Sequence, residues 1–123
     1  MSGDKRAAAE RRGRFAEHVA MAWLMCKGYR ILGHRVRTPF GEIDIAAFKG
    51  GVLAIVEVKM RRSIEAGLEA LLPRQQERLA NAAMAAARRW RLEGALLRFD
   101  VMVVGAGALP RHVRGAWGRD RPT

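Results

Sequence analysis

The feature that most constrains the fold is a pair of β-rich runs joined by consecutive glycines. Residues 42–48 and 52–61 are rich in Ile, Val and Ala, and Lys49-Gly50-Gly51 lies between them. Glycine accepts the positive φ angles that a tight hairpin turn requires, so this pattern predicts two antiparallel strands. Any fold for this chain must therefore contain a β-sheet built around this hairpin.

The other segments predict helices and further strands around the hairpin. A helix over residues 4–27 is expected to begin at Asp4 and to end before Gly28. Its predicted apolar stripe comprises Phe15, Val19, Ala22 and Cys26. A second long helix is expected over residues 73–93, ended by Gly94 and preceded by an irregular or short helical segment. Additional strands are predicted at residues 29–38, 98–104 and 111–117. The order α-β-β-β-α-β-β indicates an α/β fold, a mixed sheet flanked by helices.

Length and composition exclude several classes of protein. The 123 residues suit a single domain, residues 1–123, with a basic tail at about 111–123. The longest uncharged run is residues 101–110, far short of the ~20 residues that span a bilayer. The amino terminus lacks the apolar core of a secretory signal. Cys26 is the single cysteine, which excludes a disulfide framework or a cysteine-based zinc site. A cytoplasmic location is therefore expected.

Positive charge is the strongest compositional signal. Lys and Arg total 23 against 12 Asp and Glu, a formal net charge of +11, and 19 of the basic residues are Arg. Arginine binds phosphate with two hydrogen bonds and stacks on bases, which favours nucleic acid as the partner. An Arg-rich coding style, an anionic membrane surface or an acidic protein are the alternatives. In the tail, Trp117 is the candidate for base stacking, near Arg119 and Arg121.

Two carboxylates occupy positions where acids are unusual. Asp44 lies between two isoleucines, and Glu57 lies in the most apolar run of the chain. An unpaired carboxylate there must be neutralised by a metal, by a cation or by a raised pKa. Strand alternation puts Glu57 and Lys59 on one face, about 7 Å apart, and the hairpin can bring Asp44 close to them. The pair suits Mg²⁺, with Mn²⁺ as a substitute, although a buried ion-pair network is the structural alternative.

Other polar residues have plainer interpretations. Glu42 shares a strand face with Asp44 and is expected at the rim of the site rather than as a ligand. Asp100 is expected to be structural, either paired with Arg98 or capping a turn. The three histidines have no spacing typical of metal ligands, so solvated or packed positions are expected for them: His18, His34 and His112.

The spacing of the acidic residues resembles the PD-(D/E)xK nuclease superfamily. Ile43-Asp44, twelve intervening residues and then Glu57-Val58-Lys59 follow that pattern, with Ile43 in place of the nominal Pro. The wider sequence resembles the YraN-like family of small bacterial proteins, which is similar in motif order to archaeal Holliday-junction resolvases. The motifs that carry this resemblance are Gly13-x-x-x-Glu17, Ala22-x-Leu24, Gly28-Tyr29-x-Ile31-Leu32, Gly41-Glu-Ile-Asp-Ile-Ala46, Val56-Glu-Val-Lys-x-Arg61 and Arg98-Phe-Asp-Val101.

The resemblance implies a restriction-endonuclease-like fold and a set of site residues. Asp44 and Glu57 would bind the metal, Lys59 would assist attack and Glu17 would be a further acid of the site; an Arg-paired helix-surface acid is the alternative for Glu17. Gln75 stands where the family pattern has a Lys. The candidate phosphate contacts are Arg61, Arg62, Arg74 and Arg78. For Arg61 and Arg62 a solvated strand end is the alternative.

Two functions remain open at this stage. The first is a Mg²⁺-dependent endonuclease acting on structured or branched DNA by phosphodiester hydrolysis. The second is a non-catalytic nucleic-acid-binding module of the same fold. An adaptor for an acidic protein is a weaker third hypothesis. DNA is favoured over RNA as the partner, no membrane role is expected, and symmetric cutting of a junction would require a homodimer.

Overall fold

A computed structural model describes residues 2–117 as a five-stranded sheet with helices on both faces. The elements in chain order are α1 (Ser2–Cys26), β1 (Arg30–Thr38), β2 (Gly41–Lys49), β3 (Val52–Met60), α2 (Ile64–Glu69), α3 (Pro73–Arg89), β4 (Leu96–Val104) and β5 (Arg111–Trp117). The strand order is β1-β2-β3-β4-β5, with β3 and β4 parallel and the other neighbours antiparallel. The α/β class and the element order are confirmed, with α2 as the short helix before α3. Arg119 and Arg121 lie outside the described residues.

The hairpin at the centre of the sheet forms as the glycines predict. Gly50 and Gly51 have φ angles of 57° and 79°, the left-handed region that side chains with a Cβ disfavour. The turn sets the register in which Ile45 is opposite Val56. Because the pleat alternates side chains between faces, this register gives β3 a buried surface on both sides.

The two faces of the sheet are covered by different helices. On one face, α1 buries Ala16, Ala20 and Leu24 against strand residues that include Ile45 and Val56. On the other face, α3 packs against the sheet through the side chains Leu79, Ala83 and Ala86. Small alanines dominate both helix surfaces, which lets each helix lie close to the strands.

The predicted apolar stripe of α1 is wrong. Phe15, Ala22 and Cys26 are exposed, and Val19 is half-buried. The helix carries apolar residues on more than one side, and the sheet selects the side with small residues because they allow close contact. Glu17, expected on the side of Ala20 and Leu24, does lie on that buried side.

Two helix boundaries also differ from the predicted ones. The first helix begins at Ser2, so Asp4 lies within its first turn rather than capping it. The third helix ends at Arg89 instead of near Gly94, because Trp90 turns toward Gly33 of β1 and Arg91 adopts a left-handed φ of 57°. No helix within residues 2–117 combines the length and apolar character that crossing a membrane requires.

Candidate functional site

The site lies where the pairing of β2 with β3 ends. The pairing of these strands runs from Lys49 and Val52 to Ile45 and Val56, and Asp44 and Glu57 are the next residues on each strand. The backbone N–H of Val58 donates a hydrogen bond of 3.0 Å to Asp44 Oδ2. The hairpin therefore brings the two carboxylates together, as their position in the sequence indicates.

These two carboxylates experience a strong electrostatic cost. Burial raises the pKa of Glu57 to about 8, and the negative charge of Asp44 adds to the shift. Burial also raises the pKa of Asp44, against the opposing effect of the Val58 hydrogen bond, and the charge of Glu17 raises it further. The Glu57 Oε2 atom is buried and has no hydrogen-bond donor within residues 2–117. An oxygen in this state would be stabilised by a cation.

Lys59 is a predicted cation whose charge acts on both carboxylates of this pair. Its positive charge lowers the pKa of both Asp44 and Glu57, although less than burial raises them. Lys59 also lines a groove of about 390 Å³ between α1 and the end of β3, which is walled by Ala9, Arg12, Gly13, Val58, Lys59, Met60 and Arg61. Two further cations therefore share the groove with Lys59. Sequence reasoning missed Arg12, because nothing in a long basic helix singles out one arginine.

Glu17 is engaged by two neighbours. Its Oε1 atom accepts hydrogen bonds from Arg35 Nε at 2.8 Å and from His34 Nε2 at 2.7 Å. Arg35 reaches it from a backbone position with φ of 53°, one of two non-glycine residues with a positive φ in the described chain. The hydrogen bond to Glu17 raises the pKa of Arg35. Glu17 therefore has the arginine partner that the alternative interpretation expects, while its charge still acts on Asp44.

The chemistry of the acid pair fits Mg²⁺ or Mn²⁺. Both carboxylates supply hard oxygen ligands, and Glu57 Oε2 is buried and lacks a hydrogen bond. Across residues 2–117, no group of three or more His, Cys, Asp or Glu side chains is arranged to hold a metal. Mg²⁺ is commonly held by one or two carboxylates, with water and substrate phosphate as the other ligands, so a pair suffices.

The remaining predicted site residues are spread around this centre. Arg78 of α3 lies across Gly41 at the start of β2, and its charge reaches Glu57. Arg62 and Arg74 are exposed, as is Glu42, whose partner at 3.6 Å is Arg37. The side chain of Gln75 accepts a hydrogen bond of 3.2 Å from the Leu72 backbone N–H. Gln75 thus caps the start of α3.

A second buried carboxylate is structural, as expected. Asp100 accepts hydrogen bonds from Arg98 Nε and Nη2 at 2.9 Å each, from His112 Nε2 at 2.8 Å and from the Gly115 N–H at 3.0 Å. Burial alone would raise the pKa of Asp100, but the bonds from His112 and Arg98 outweigh it and lower the pKa. His112 also accepts a hydrogen bond from Lys27 Nζ at 2.6 Å.

The stacking role predicted for Trp117 is wrong. Trp117 is buried, and its ring stacks on Phe99 with the centroids 4.3 Å apart. The last strand pairs with β4 and carries this side chain into the core, so its ring face is not available to a base. The expectation that Cys26 is a core residue is also wrong, since the residue is exposed.

Comparison with known proteins identifies the family. A family profile described as "Uncharacterised protein family UPF0102" matches residues 16–104, a stretch that contains all four predicted catalytic residues. The chain belongs to the UPF0102 family. A UPF0102 protein of Caulobacter vibrioides (strain NA1000 / CB15N) is 53% identical over 112 residues, which cover 90% of each chain. A UPF0102 protein of Maricaulis maris is 47% identical over 110 residues, covering 89% of this chain and 87% of the relative.

Family membership confirms the resemblance to YraN-like proteins at this level. A UPF0102 protein of Bradyrhizobium diazoefficiens is 47% identical over 119 residues, covering 95% of this chain and 89% of the relative. An alignment of this length includes all five strands of the sheet, from β1 to β5. The family profile contains the acid pair, Lys59 and Arg61, whereas Arg12 and β5 lie outside it.

Proposed function

We propose that this protein is a metal-dependent endonuclease of the PD-(D/E)xK type that hydrolyses phosphodiesters in structured or branched DNA. The observation that carries the proposal is the half-buried acid pair of Asp44 and Glu57, in which one buried Glu57 oxygen lacks a donor. Lys59, whose charge acts on both acids, also lines a groove with Arg12 and Arg61. A structural ion pair would satisfy that oxygen with a protein donor. A buried carboxylate oxygen without a donor, close to cationic side chains, is typical of a site that is completed by an external cation.

Each residue has a specific task in this reaction. Asp44 and Glu57 would hold Mg²⁺, which when bound supplies positive charge to the phosphoryl oxygen and lowers the pKa of water. Lys59 orients the attacking water or stabilises the negative charge that develops on the phosphorane. Arg12 and Arg61 bind phosphates of the strand from the groove. The formal charge of +11 attracts the DNA over a longer range.

Cleavage assays with matched variants test this proposal. Branched, duplex and single-stranded DNA and RNA are incubated with the protein in Mg²⁺, Mn²⁺ or EDTA. We expect metal-dependent cutting that Asp44→Asn and Glu57→Gln each abolish without weakening DNA affinity, because both changes remove negative charge from a surface that meets phosphate. Glu42→Gln is the matched control, since it removes an exposed acid two residues from Asp44.

Calorimetry tests the metal site independently of cutting. We expect the wild type to bind Mn²⁺ or Mg²⁺ with release of a proton near neutral pH, because Glu57 is protonated there in the metal-free protein. Glu57→Gln should remove both the binding heat and the proton. A wild type that binds no metal, with or without DNA, would eliminate the metal site.

The second candidate is a non-catalytic DNA-binding module. Two observations favour it. The Glu17 carboxylate already accepts hydrogen bonds from His34 and Arg35. Gln75, at the position where the family pattern has a Lys, caps the start of α3. Such a module would bind branched DNA in EDTA as well as in Mg²⁺ and would cut no substrate in the panel. The cleavage assay therefore separates the two candidates directly.

A further inference from the structure

The turn between β1 and β2 holds an aromatic side chain at the same end of the sheet as the acid pair. Phe40 is 48% exposed, and the antiparallel register places this turn opposite the end of β3, beyond Glu57 and Lys59. Exposure alone assigns no role to a single surface Phe. A role for Phe40 is indicated by three further features: the rigidity of the turn, the charges around it and its distance from the acid pair.

The turn is held in one conformation by its own hydrogen bonds. The Thr38 hydroxyl donates to the Gly41 carbonyl at 2.7 Å and accepts from the Phe40 N–H at 3.1 Å. Pro39 fixes its own φ angle by its ring. The aromatic side chain is therefore presented at a defined position, which reduces the entropy lost when a ligand stacks on it.

An arginine lies at each end of the turn that carries Phe40. Arg78 lies so close to Gly41 that a Cβ there would be 3.0 Å from Arg78 Cδ, which keeps the arginine beside the turn. Arg37 precedes the turn, and its side chain is 91% exposed. Arg37 is 3.6 Å from Glu42, an exposed pair that solvent screens. An exposed aromatic side chain with arginines on the adjoining segments is a combination that binds an unpaired base together with its neighbouring phosphates.

The distance from Phe40 to the acid pair matches a short stretch of DNA. Asp44 is four positions after Phe40 in the sequence, which corresponds to about 13 Å along an extended strand. Base pairs in DNA rise about 3.4 Å per step, so this distance corresponds to three or four steps. A base held at the turn would thus be three or four nucleotides from the phosphate at the acid pair.

We propose that Phe40 stacks on an unpaired base at a DNA branch and thereby selects branched DNA over continuous duplex. A continuous duplex keeps its bases stacked on one another and offers no free base face, whereas a branch point exposes one. The position of the cut, three or four nucleotides from the branch, follows from the same geometry and rests on the nuclease proposal.

The test measures stacking without cutting. A branched DNA carries the fluorescent base 2-aminopurine at its branch, and binding is followed in EDTA with the wild type, Phe40→Ala and Phe40→Trp. We expect the wild type and Phe40→Trp to change the fluorescence, and Phe40→Ala to lose the change and to reduce the preference for branched DNA by roughly 5- to 100-fold. Phe15→Ala is the matched control, because Phe15 is 60% exposed on α1 and does not line the groove.

Each outcome separates this inference from the nuclease proposal. Retained stacking without cleavage in Mg²⁺ would support the role of Phe40 and remove the nuclease. Cleavage with the same branch preference in Phe40→Ala would overturn the role of Phe40 and keep the nuclease. Failure of the wild type to bind branched DNA would overturn both. A change in the solution mass of Phe40→Ala, measured by light scattering, would assign Phe40 to a protein interface instead.

Discussion

Asp100 and Glu57 lie on neighbouring parallel strands, one register position apart, since Glu57 is opposite Val101. Asp100 accepts four hydrogen bonds, and its pKa is lowered despite full burial. Glu57 has a buried oxygen that lacks any donor within the described chain, and its pKa is raised to about 8. Donors supplied by the protein make Asp100 a structural anchor, and the lack of a donor at Glu57 Oε2 leaves that oxygen available to an external cation.

The largest effect should follow from replacing Asp100. Asp100→Asn puts an amide N–H₂ in place of an oxygen that now accepts from Arg98 and His112, so donors face donors inside the protein. We expect a loss of about 3–5 kcal/mol in the free energy of unfolding, as for a buried ion pair that loses one partner. Urea denaturation measures it. A loss below about 1 kcal/mol would show that Asp100 is not an anchor.

Replacing Lys59 should affect turnover far more than folding. Its charge acts where negative charge develops during hydrolysis, so Lys59→Ala should slow cleavage by about 10²- to 10³-fold. DNA affinity should weaken by no more than one ordinary phosphate contact. Single-turnover cleavage and a binding titration measure the two effects. Cleavage unchanged in Lys59→Ala would point to a contaminating nuclease.

The stability of the protein should depend on pH through Glu57. Its folded pKa of about 8 is above its ordinary value of 4.5, so its protonated form contributes stability that is fully present below pH 4.5 and lost as the pH rises through 8. Glu57→Gln should remove this loss and be more stable than the wild type at pH 9 by about 1–3 kcal/mol.

Thermal unfolding without metal between pH 5 and pH 9 measures this dependence. Added Mg²⁺ should restore the wild type above pH 8, because the cation compensates the ionised carboxylate. Parallel profiles for the wild type and Glu57→Gln would contradict the raised pKa of Glu57.

The smallest expected effect is on the salt dependence of DNA binding, when one exposed arginine is removed from β5 or from the groove. Arg61 lines the groove beside the acid pair, whereas Arg114 is exposed on β5 near Lys27 and the Asp100 cluster. Arg61→Ala should reduce the magnitude of the log–log salt slope of duplex binding by about 0.9, and Arg114→Ala should leave it unchanged. Binding titrations at several salt concentrations measure both slopes. Equal reductions would show that DNA contacts both ends.

Much of the fold is readable from local sequence signals. The consecutive glycines, the apolar strands and Pro73 each predict their element because the backbone preference and the tertiary packing agree. The face of α1 is not readable, because its large apolar residues and its alanines lie on different sides and the sheet accepts the alanines. The end of α3 is set by the packing of Trp90 against Gly33, which is a long-range contact.

In the candidate site, too, some residues are predictable from local sequence and others depend on tertiary structure. Asp44, Glu57 and Lys59 are predictable because carboxylates in apolar strands carry an energetic cost that requires an explanation. The pairing of Glu17 with Arg35 depends on a positive φ in β1, which a single sequence does not indicate. The burial of Trp117 depends on β5 completing the sheet, so the basic composition of the tail suggested the wrong surroundings.

The hairpin that carries the acid pair also has a consequence for the order of folding. Asp44 and Glu57 are 13 residues apart across a tight turn, whereas the parallel pairing of Val52 with Leu96 joins residues 44 apart. Local contacts of the first kind form in microseconds, and distant pairings form later. The two like charges therefore meet while water still surrounds them and their repulsion is weak. Their dehydration is deferred until β4 completes the sheet, when most of the native contacts can offset it.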